Sequence, residues 1–328
     1  MGGTTSAFAE EQKTEQSSIL EKNVAAQGQE IQGYLFKDGV KTPVYKNAGT
    51  YYNSQKSDSA FPQLGSNPHD PIPKEGAVHS ENGSIGSTLY FSSLAIPNGV
   101  FNGVPIRALT ENVYLEKKND GSIEVGRYDL KTLVRTPMTG SYDQETLKGF
   151  FEGTTVKRDT SYQLKINKVL PRTASYKYAE GIKYGMTKED ALSATLTLGV
   201  KLGMKASAGV PGAVAAEVAT EVSTQLATSY NHKISVTDEK TSSEEISFPG
   251  VNNNTYNYDE YAVALYQLQS TYTVKPGKKL QAYLDENKNT FLPMNHGKKV
   301  SAAALAQTAF SYADSTTYLA VTPGAAKK

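Results

Sequence analysis

The side chains that most often carry catalysis or bind metals are sparse in this sequence. The four histidines lie far apart and show no metal-ligand spacing. Cysteine is absent, which excludes thiol catalysis, disulfides and thiolate metal sites. No Gly-x-Ser-x-Gly motif, phosphate loop or calcium loop occurs. Aspartate and glutamate are scattered, so we expect no enzyme activity, no metal and no cofactor.

Composition narrows the class of protein further. The 328 residues suffice for two or three domains, and a net charge of +1 gives no footprint for nucleic-acid binding. No run of 18 apolar residues predicts a membrane-spanning helix. Tyrosine is abundant, with 21 residues among many short Thr- and Ser-rich runs, which favours a mainly β fold.

The most informative feature of the sequence is a two-faced segment at residues 194–230, in which apolar and polar positions alternate. Even positions carry the large apolar residues, and odd positions carry mostly small, polar or charged ones. A side-chain period of two is the signature of a strand, and each arm exceeds the roughly 9–11 residues that cross a bilayer as a strand. The pattern predicts one long amphipathic β-hairpin.

A helical alternative fits the second arm but not the first. Val214, Val218, Val222 and Leu226 are four apart, which suits either period. In the first arm the apolar residues would scatter round a helix and leave no stripe. Gly199 would cost about 1 kcal/mol inside a helix. We therefore expect strand in the first arm, while the second arm alone fits both structures.

The apolar residues occupy even positions in both arms, so the connecting loop must contain an odd number of residues if the apolar side chains are to face each other. A loop with its tip at Val210, Pro211 and Gly212 places Lys205 opposite Glu217 and Lys201 opposite Glu221, and it faces Leu196 with Leu226. Such cross-strand charge pairs favour a register by a few tenths to about 1 kcal/mol each. A loop of Pro211, Gly212 and Ala213 is the alternative, and it loses the direct charge pairs.

Local patterns around the hairpin predict further elements. Strands are expected at Ser87–Ile96 and Tyr261–Val274, and a hairpin turn at Asn119–Ser122. Shorter expectations are a helix over Asp143–Phe151, a capped helical turn at Thr187–Asp190, a strand over Lys279–Leu284 and a helix over Ala302–Ala309.

These features resemble the aerolysin-type β-pore-forming toxins, and more narrowly the epsilon-toxin and mosquitocidal-toxin branch, which includes Bacillus insecticidal proteins. The resemblance lies in the flanking strand Thr173–Met186, the hairpin 194–230 and the return strand Ser235–Phe248. It covers about a third of the chain. It implies a mainly β, elongated, aerolysin-like protein with a more irregular N-terminal domain.

The resemblance also implies a mechanism. A secreted monomer binds a cell-surface receptor of protein or glycan nature, assembles into a homo-oligomer and inserts its hairpins into the target-cell membrane as one barrel. The residues facing lipid would be Leu196, Leu198, Val200, Leu202, Met204, Val214, Val218, Val222 and Leu226. The pore lining would include Lys201, Lys205, Glu217 and Glu221. Val218→Arg is then expected to abolish permeabilisation and leave the monomer folded.

The remaining chain divides into predicted regions. Residues 1–32 form a leader with a signal-peptidase-like Ala-Phe-Ala ending at Ala9, residues 33–155 a receptor-binding domain, and residues 156–328 the pore-forming and oligomerisation domain. The candidate receptor surface comprises Tyr34, Tyr45, Tyr51 and Tyr52, whose alternative role is the core of a small β-domain. The rival functions are a non-lytic secreted adhesin or lectin-like protein and an exported hydrolase with a hidden carboxylate pair.

Overall fold

The protein is mainly β, with long antiparallel strands, as predicted. The computed structural model describes residues 30–46, 61–96, 99–101, 104–106, 109–130, 134–201, 211–289, 291–293 and 299–327. The strands within them are β1 (Glu30–Lys37), β2 (Val40–Tyr45), β3 (His79–Ser84), β4 (Thr88–Ala95), β5 (Gly99–Phe101), β6 (Val104–Ile106), β7 (Leu109–Lys117), β8 (Ile123–Tyr128), β9 (Arg135–Pro137), β10 (Thr155–Pro171), β11 (Tyr176–Tyr178), β12 (Ile182–Tyr184), β13 (Lys240–Ser242), β14 (Ile246–Phe248), β15 (Glu260–Lys275), β16 (Phe291–Pro293), β17 (Lys299–Ser301), β18 (Ala303–Leu305), β19 (Ala309–Val321) and β20 (Ala326–Lys327). The helices are α1 (Gln144–Gly149), α2 (Lys188–Leu198), α3 (Pro211–Tyr230) and α4 (Lys278–Asn287).

The larger sheet has the order β2-β1-β19-β15-β10-β3, with β20 beside β1. Its centre is β15, which pairs antiparallel with β10 from Lys275 opposite Thr155 to Glu260 opposite Pro171. The strand predicted at Tyr261–Val274 is therefore confirmed. Tyr261 and Tyr266 are both fully buried but belong to apolar clusters on opposite faces, so this strand is covered on both sides.

The second sheet has the order β18-β4-β7-β8-β9. The predicted strand at Ser87–Ile96 is β4, and the predicted turn at Asn119–Ser122 joins β7 to β8. Gly121 takes a φ of 80°, which favours glycine in that turn. The predicted helix over Asp143–Phe151 is α1, capped by Asp143, whose carboxylate accepts a hydrogen bond from the Thr146 amide at 3.1 Å.

Strands from both sides of residue 155 share the sheets. β1, β2 and β3 lie in the larger sheet with β10, β15 and β19, while β18 returns from the C-terminal part to pair with β4. The strand β1 begins at Glu30, so residues 30–32 belong to the larger sheet, and residues 1–29 lie outside the described residues. The division into receptor-binding and pore-forming domains stays a prediction.

The prediction of a strand in the first arm of the hairpin is wrong. Residues 194–198 continue α2, which starts from a capping box between Thr187 and Asp190. A helix with one buried face needs an apolar stripe, but α2 is buried nearly all round its second half and forms without one. Gly199 does not interrupt the helix; it ends it in the left-handed conformation with a φ of 66°.

The second arm is the helix α3, so the predicted hairpin tip is also wrong. Pro211 and Gly212 occupy the first turn of α3, where a proline lacks only an amide that would have no partner within the helix. The four-residue spacing from Val218 to Leu226, which fitted both periods, is used here as a helical face. Val210 and the rest of residues 202–210 lie outside the described residues.

Two shorter predictions fail in opposite directions. Lys279–Leu284 lies in α4, where Leu280 and Leu284 pack on one apolar cluster with helical spacing. Within Ala302–Ala309 the structure has the strand β18, because Ala303 pairs with Leu94 at the edge of β4. Strand pairing overrides the helix propensity of alanine there.

Candidate functional site: the docked segment

The two-faced segment is inserted at the end of an antiparallel ribbon. One arm of the ribbon is residues 176–184 and the other is residues 240–248. Their paired residues are Tyr176 with Phe248, Tyr178 with Ile246, Ile182 with Ser242, and Tyr184 with Lys240. The antiparallel pairing ends at Tyr184 with Lys240, because the isolated bridge that follows, between Met186 and Asp238, is parallel. Immediately after Met186 the chain enters α2, and we call residues 187–230, apart from the undescribed 202–210, the docked segment.

The docked segment packs its apolar residues against the larger sheet. Val222 and Leu226 are fully buried, and Val218 is 3 % exposed. They share one cluster with Tyr272 and Phe310 of the sheet, whose rings stack with centroids 4.7 Å apart. Burying aliphatic side chains of this size stabilises the docked position by about 1.5–3 kcal/mol each. Packing on the sheet is therefore a major force that holds α3.

The intrinsic preference of α3 for helix is modest. Six of its twenty residues are the β-branched valine and threonine, which lose side-chain freedom in a helix and favour strands. Three side chains, Ser223, Thr224 and Thr228, donate hydrogen bonds to carbonyls four residues earlier, at 2.8–3.0 Å. Such contacts slightly destabilise helices. The five alanines of α3 favour helix and its six β-branched residues oppose it, so the local preference is mixed and packing on the sheet adds to the stability of the helix.

The chain after α2 is held by the start of β4. The amide of Gly86 donates to the Leu198 carbonyl at 2.8 Å, and the amide of Thr88 donates to the Gly199 carbonyl at 3.2 Å. A Cβ added at Gly86 would lie 2.1 Å from the Gly199 carbonyl oxygen, so this approach requires glycine. Residues 198 and 199 are therefore held by backbone hydrogen bonds, which do not depend on the identity of their own side chains.

A tyrosine of the second sheet extends this attachment. The Tyr90 hydroxyl donates to the Val200 carbonyl at 2.9 Å in a buried position. Burial raises the pKa of Tyr90 to about 12, so the hydroxyl keeps its proton, and its role as donor, far into the alkaline range.

Lys201 closes the attachment with an ion pair. Its ammonium group donates to a carboxylate oxygen of Glu116, whose side chain is 3 % exposed. Arg135 lies 2.9 Å from the other carboxylate oxygen, and Lys118 lies 3.4 Å from the first. Burial alone would raise the pKa of Glu116. The hydrogen bond from Lys201 and the charges of Arg135, Lys201 and Lys118 outweigh burial, so the pKa of Glu116 is lowered.

The far end of the docked segment is held by different groups. The Ser229 hydroxyl donates to the Ser84 carbonyl at 2.7 Å, and the Tyr230 hydroxyl donates to the Val156 carbonyl at 3.1 Å. Ser84 ends β3 in the larger sheet, and Thr88 begins β4 in the second sheet. The short connection between the two sheets therefore contacts both ends of the docked segment.

The predicted lipid-facing residues are all buried in the monomer where their side chains are described. Exposure is 7 % or less for Leu196, Leu198, Val200, Val218, Val222 and Leu226. Leu202, Met204 and Lys205 lie outside the described residues, as do the side chains of Val214 and Glu217. Because Val218 is in the core, Val218→Arg would bury an unpaired charge and would not leave the monomer intact.

The predicted cross-strand pairs do not form in the monomer. Lys201 contacts Glu116 rather than Glu221, whose side chain is exposed. Leu196 packs in a cluster with Tyr90, whereas Leu226 packs on the larger sheet. These pairs and the pore-lining roles concern a hairpin inserted in a membrane, and for that state they stay predictions.

The candidate receptor tyrosines are placed unequally. Tyr45 is 9 % exposed and belongs to the core of the larger sheet, so its assignment to a receptor surface is wrong. Tyr34 is half-buried, with its ring 6.1 Å from that of Phe248 and 4.3 Å from the Lys41 ammonium. Tyr51 and Tyr52 lie outside the described residues. The alternative role, as core of a β structure, is the one that Tyr45 takes.

The residues that hold the docked segment were not found from the sequence. Glu116 carried one usable signal, because it is a charged residue directly after the apolar run Val113–Leu115. Nothing in the sequence could indicate that its partner is Lys201, 85 residues away. Gly86 lets two backbones approach each other, and Tyr90 donates a hydrogen bond to a carbonyl oxygen. Neither contact produces a recognisable pattern in the sequence.

Other chemistry is limited within the described part of the chain. It holds no group of three or more His, Cys, Asp or Glu side chains arranged for a metal ion. His69 lies 2.9 Å from Glu260 in an exposed pair, and His232 lies 3.8 Å from Glu81. None of the described helices has both the length and the apolar character needed to span a membrane.

Comparisons with known proteins add little to this geometry. No family model matches the sequence, and no curated protein matches it. Among solved structures, the crystal structure of Cry35Ab1 is similar over 72 % of this chain and 51 % of that protein, with 12 % identity and a TM-score of 0.28. This chain therefore spans about half the length of Cry35Ab1, and a TM-score this low carries no argument about function.

Proposed function

We propose that this protein is a secreted β-pore-forming toxin whose docked segment leaves the body of the protein and refolds from two helices into one amphipathic β-hairpin. Copies of the chain then close a barrel in the target membrane, because a lone hairpin in lipid leaves its edge amides and carbonyls unpaired. A secreted life, a surface receptor and insect targets belong to this proposal through the family resemblance alone.

The observation that carries the proposal is the register of the ribbon. Its pairs run from Tyr176 with Phe248 to Tyr184 with Lys240 at a constant step. Continued at the same step, the ribbon pairs Leu198 with Leu226 and joins even residues to even residues throughout the docked segment. The alternation of the segment is therefore in phase with the strand pairs that flank it in sequence, with β11 and β12 before it and β13 and β14 after it.

The same register selects a turn. It pairs Val210 with Val214 and leaves Pro211, Gly212 and Ala213 as the loop, which is the alternative that loses the direct charge pairs. In this register Lys201 faces Ser223, with Glu221 as a diagonal neighbour. Diagonal neighbours lie about 7–8 Å apart, still within reach of long side chains.

The helix α3 is suited to refolding into a strand of the proposed hairpin. The β-branched residues of α3 favour strands once the apolar cluster with the sheet is lost. A water-soluble monomer needs its apolar positions covered, and the docked segment covers them by burial on the larger sheet. Refolding exchanges this burial for contact with lipid, while closure of the barrel satisfies the backbone.

The decisive experiment uses two positions of α3, one buried and one exposed in the helix, whose environments the proposed hairpin would reverse. Ala219 is 4 % exposed in α3, and Thr224 is exposed. In the hairpin Thr224 is even and faces lipid, whereas Ala219 is odd and faces the lumen. The chain has no cysteine, so Ala219→Cys and Thr224→Cys each accept one environment-sensitive fluorophore.

On liposomes that release an entrapped dye, we expect the Thr224→Cys label to enter an apolar environment and the Ala219→Cys label to enter water. The opposite pattern means that α3 binds the membrane as a helix through its buried face. No change at either position, together with no dye release, favours the non-lytic adhesin. A label at Asp285→Cys, exposed on α4, is the control and should not respond.

Register is tested by disulfide formation on the lumen side. The ribbon register places Thr197 opposite Ala227, and directly opposite Cα atoms lie about 4.5–5.5 Å apart, which suits a disulfide. The register with direct charge pairs places Thr197 opposite Gln225 instead. We expect Thr197→Cys with Ala227→Cys to cross-link in the membrane-bound protein, and Thr197→Cys with Gln225→Cys to do so far less.

A further inference from the structure

We propose that Glu116 is a lock that keeps the docked segment in place through Lys201, and that loss of this one contact starts release from the 198–201 end. This inference concerns regulation of the proposed insertion and rests on that function for its biological meaning. The lock itself is a property of the monomer in water.

The lock is asymmetric, because its two partners differ in exposure. The side chain of Glu116 is 3 % exposed, and that of Lys201 is 49 % exposed. Lys201 therefore gains hydration when it leaves, and the cost of release on its side is the lost contact with the carboxylate. A buried carboxylate left alone would be strongly unfavourable, so the state after release depends on what stays with Glu116.

Two cations stay with Glu116 when Lys201 leaves. Arg135 lies 2.9 Å from its carboxylate and is itself 10 % exposed, and Lys118 approaches to 3.4 Å. Lys118 also pairs with Glu124 at 2.9 Å, which anchors it in the second sheet. Release of the segment therefore strands no buried charge, and the second sheet keeps its own ion pairs.

The position of the lock favours local opening. Lys201 directly follows the three residues whose carbonyls accept hydrogen bonds from Gly86, Thr88 and Tyr90. These contacts are made by carbonyl oxygens, which any residue offers, so among these hydrogen bonds the one from Lys201 is made by a side chain of the docked segment. The far end is held by the hydroxyl groups of Ser229 and Tyr230, which donate to backbone carbonyls and form no ion pair in these contacts.

Release is measured by the reactivity of single thiols in the protein in solution, without membranes. Val222 and Val263 are both fully buried, the first in the docked segment and the second at the centre of the larger sheet. Val222→Cys reports opening of the segment, and Val263→Cys reports unfolding of the sheet. The change from valine to cysteine is small at both sites.

We expect Lys201→Met to raise the labelling rate of the Val222→Cys thiol by about tenfold, the effect of one charge-assisted hydrogen bond, and to leave Val263→Cys unchanged. Lys201→Arg should keep the rate within about twofold because it preserves the charge. Lys118→Met is the matched control, since it removes a cation from the same carboxylate but belongs to the second sheet, and should leave the Val222→Cys rate unchanged.

Three outcomes overturn the lock: an unchanged Val222→Cys rate in Lys201→Met, an equal acceleration in Lys118→Met, or an equal acceleration of Val263→Cys. Failure of the proposed function is separate, because it appears as absent dye release with the lock intact in solution. Conversely, a protein that permeabilises membranes but shows none of these rate changes keeps the proposed function and loses the lock.

Discussion

The docked helix α3 and the central strand β15 carry similar alternation and fold differently. Both contain valine, threonine and serine spaced in ways that suit a strand. β15 pairs with β10 along its full length and with β19 from Val263 to Thr273, and it has large side chains buried on both faces. α3 contains five alanines, of which Ala219 packs in the apolar cluster with the larger sheet. The comparison shows that a side-chain period of two gives a strand where neighbouring strands pair on both edges, and that the same period is compatible with a helix packed on the face of a sheet.

The strongest way to break this comparison is to truncate one large side chain in each region. Tyr266→Ala in β15 should lower the free energy of unfolding by about 3–5 kcal/mol and accelerate labelling of both reporter thiols. Leu226→Ala in α3 should accelerate labelling of Val222→Cys far more than that of Val263→Cys. Urea unfolding and thiol labelling measure the two effects. Equal acceleration by Leu226→Ala would mean that the docked segment opens only with the whole protein.

A second test crowds the contact between the segment and β4. Gly86→Ala places a Cβ 2.1 Å from the Gly199 carbonyl oxygen, so one backbone must move, at about 1–3 kcal/mol. We expect faster labelling of Val222→Cys and an unchanged rate at Val263→Cys. Gly121→Ala is the control, because its φ of 80° introduces strain in open space away from the segment. A selective effect of Gly121→Ala would contradict the assignment.

A third test uses pH to separate the regions. Because the pKa of Glu116 is lowered, its ion pairs stabilise the fold at pH values above the ordinary 4.5 and lose this effect as pH falls through the lowered value. The groups that face this carboxylate are Lys201, Arg135, Lys118, Tyr90, Tyr114 and Glu124. Labelling of Val222→Cys with an acid-compatible disulfide reagent should be flat at neutral pH and rise in acid. Lys201→Met should reduce that rise, and an identical acid profile in Lys201→Met would show that Glu116 acts elsewhere.

The smallest expected effect comes from changing only the preference of α3 for helix over strand. Thr224→Ala with Thr228→Ala removes two exposed β-branched residues from α3 and favours helix by up to about 0.7 kcal/mol each. We expect slower dye release from liposomes and a helical signal that persists for longer after mixing. Thr224→Val with Thr228→Val keeps the branching and is the matched control. Equal slowing in both pairs would point to loss of the hydroxyl groups rather than of strand preference.

Much of the fold follows from local signals that need no tertiary partner. Asp143 caps α1 because its side chain reaches an amide three residues on, and the turn before Ser122 needs a glycine at a positive φ. β15 is long and rich in tyrosine, valine and leucine, so it is a strand in most contexts. Ala303 shows the limit of local signals, because an alanine-rich run pairs with an open strand edge and becomes a strand itself.

The candidate site divides in the same way. The sequence by itself determined that residues 194–230 have two faces and that even positions carry the apolar one. Only the tertiary structure decided that this segment is stored as helices, because the larger sheet offers its apolar side chains a surface to pack on. It also decided that Lys201 meets Glu116, since the two residues are brought together by sheet packing across 85 positions, a distance over which sequence carries no physical signal.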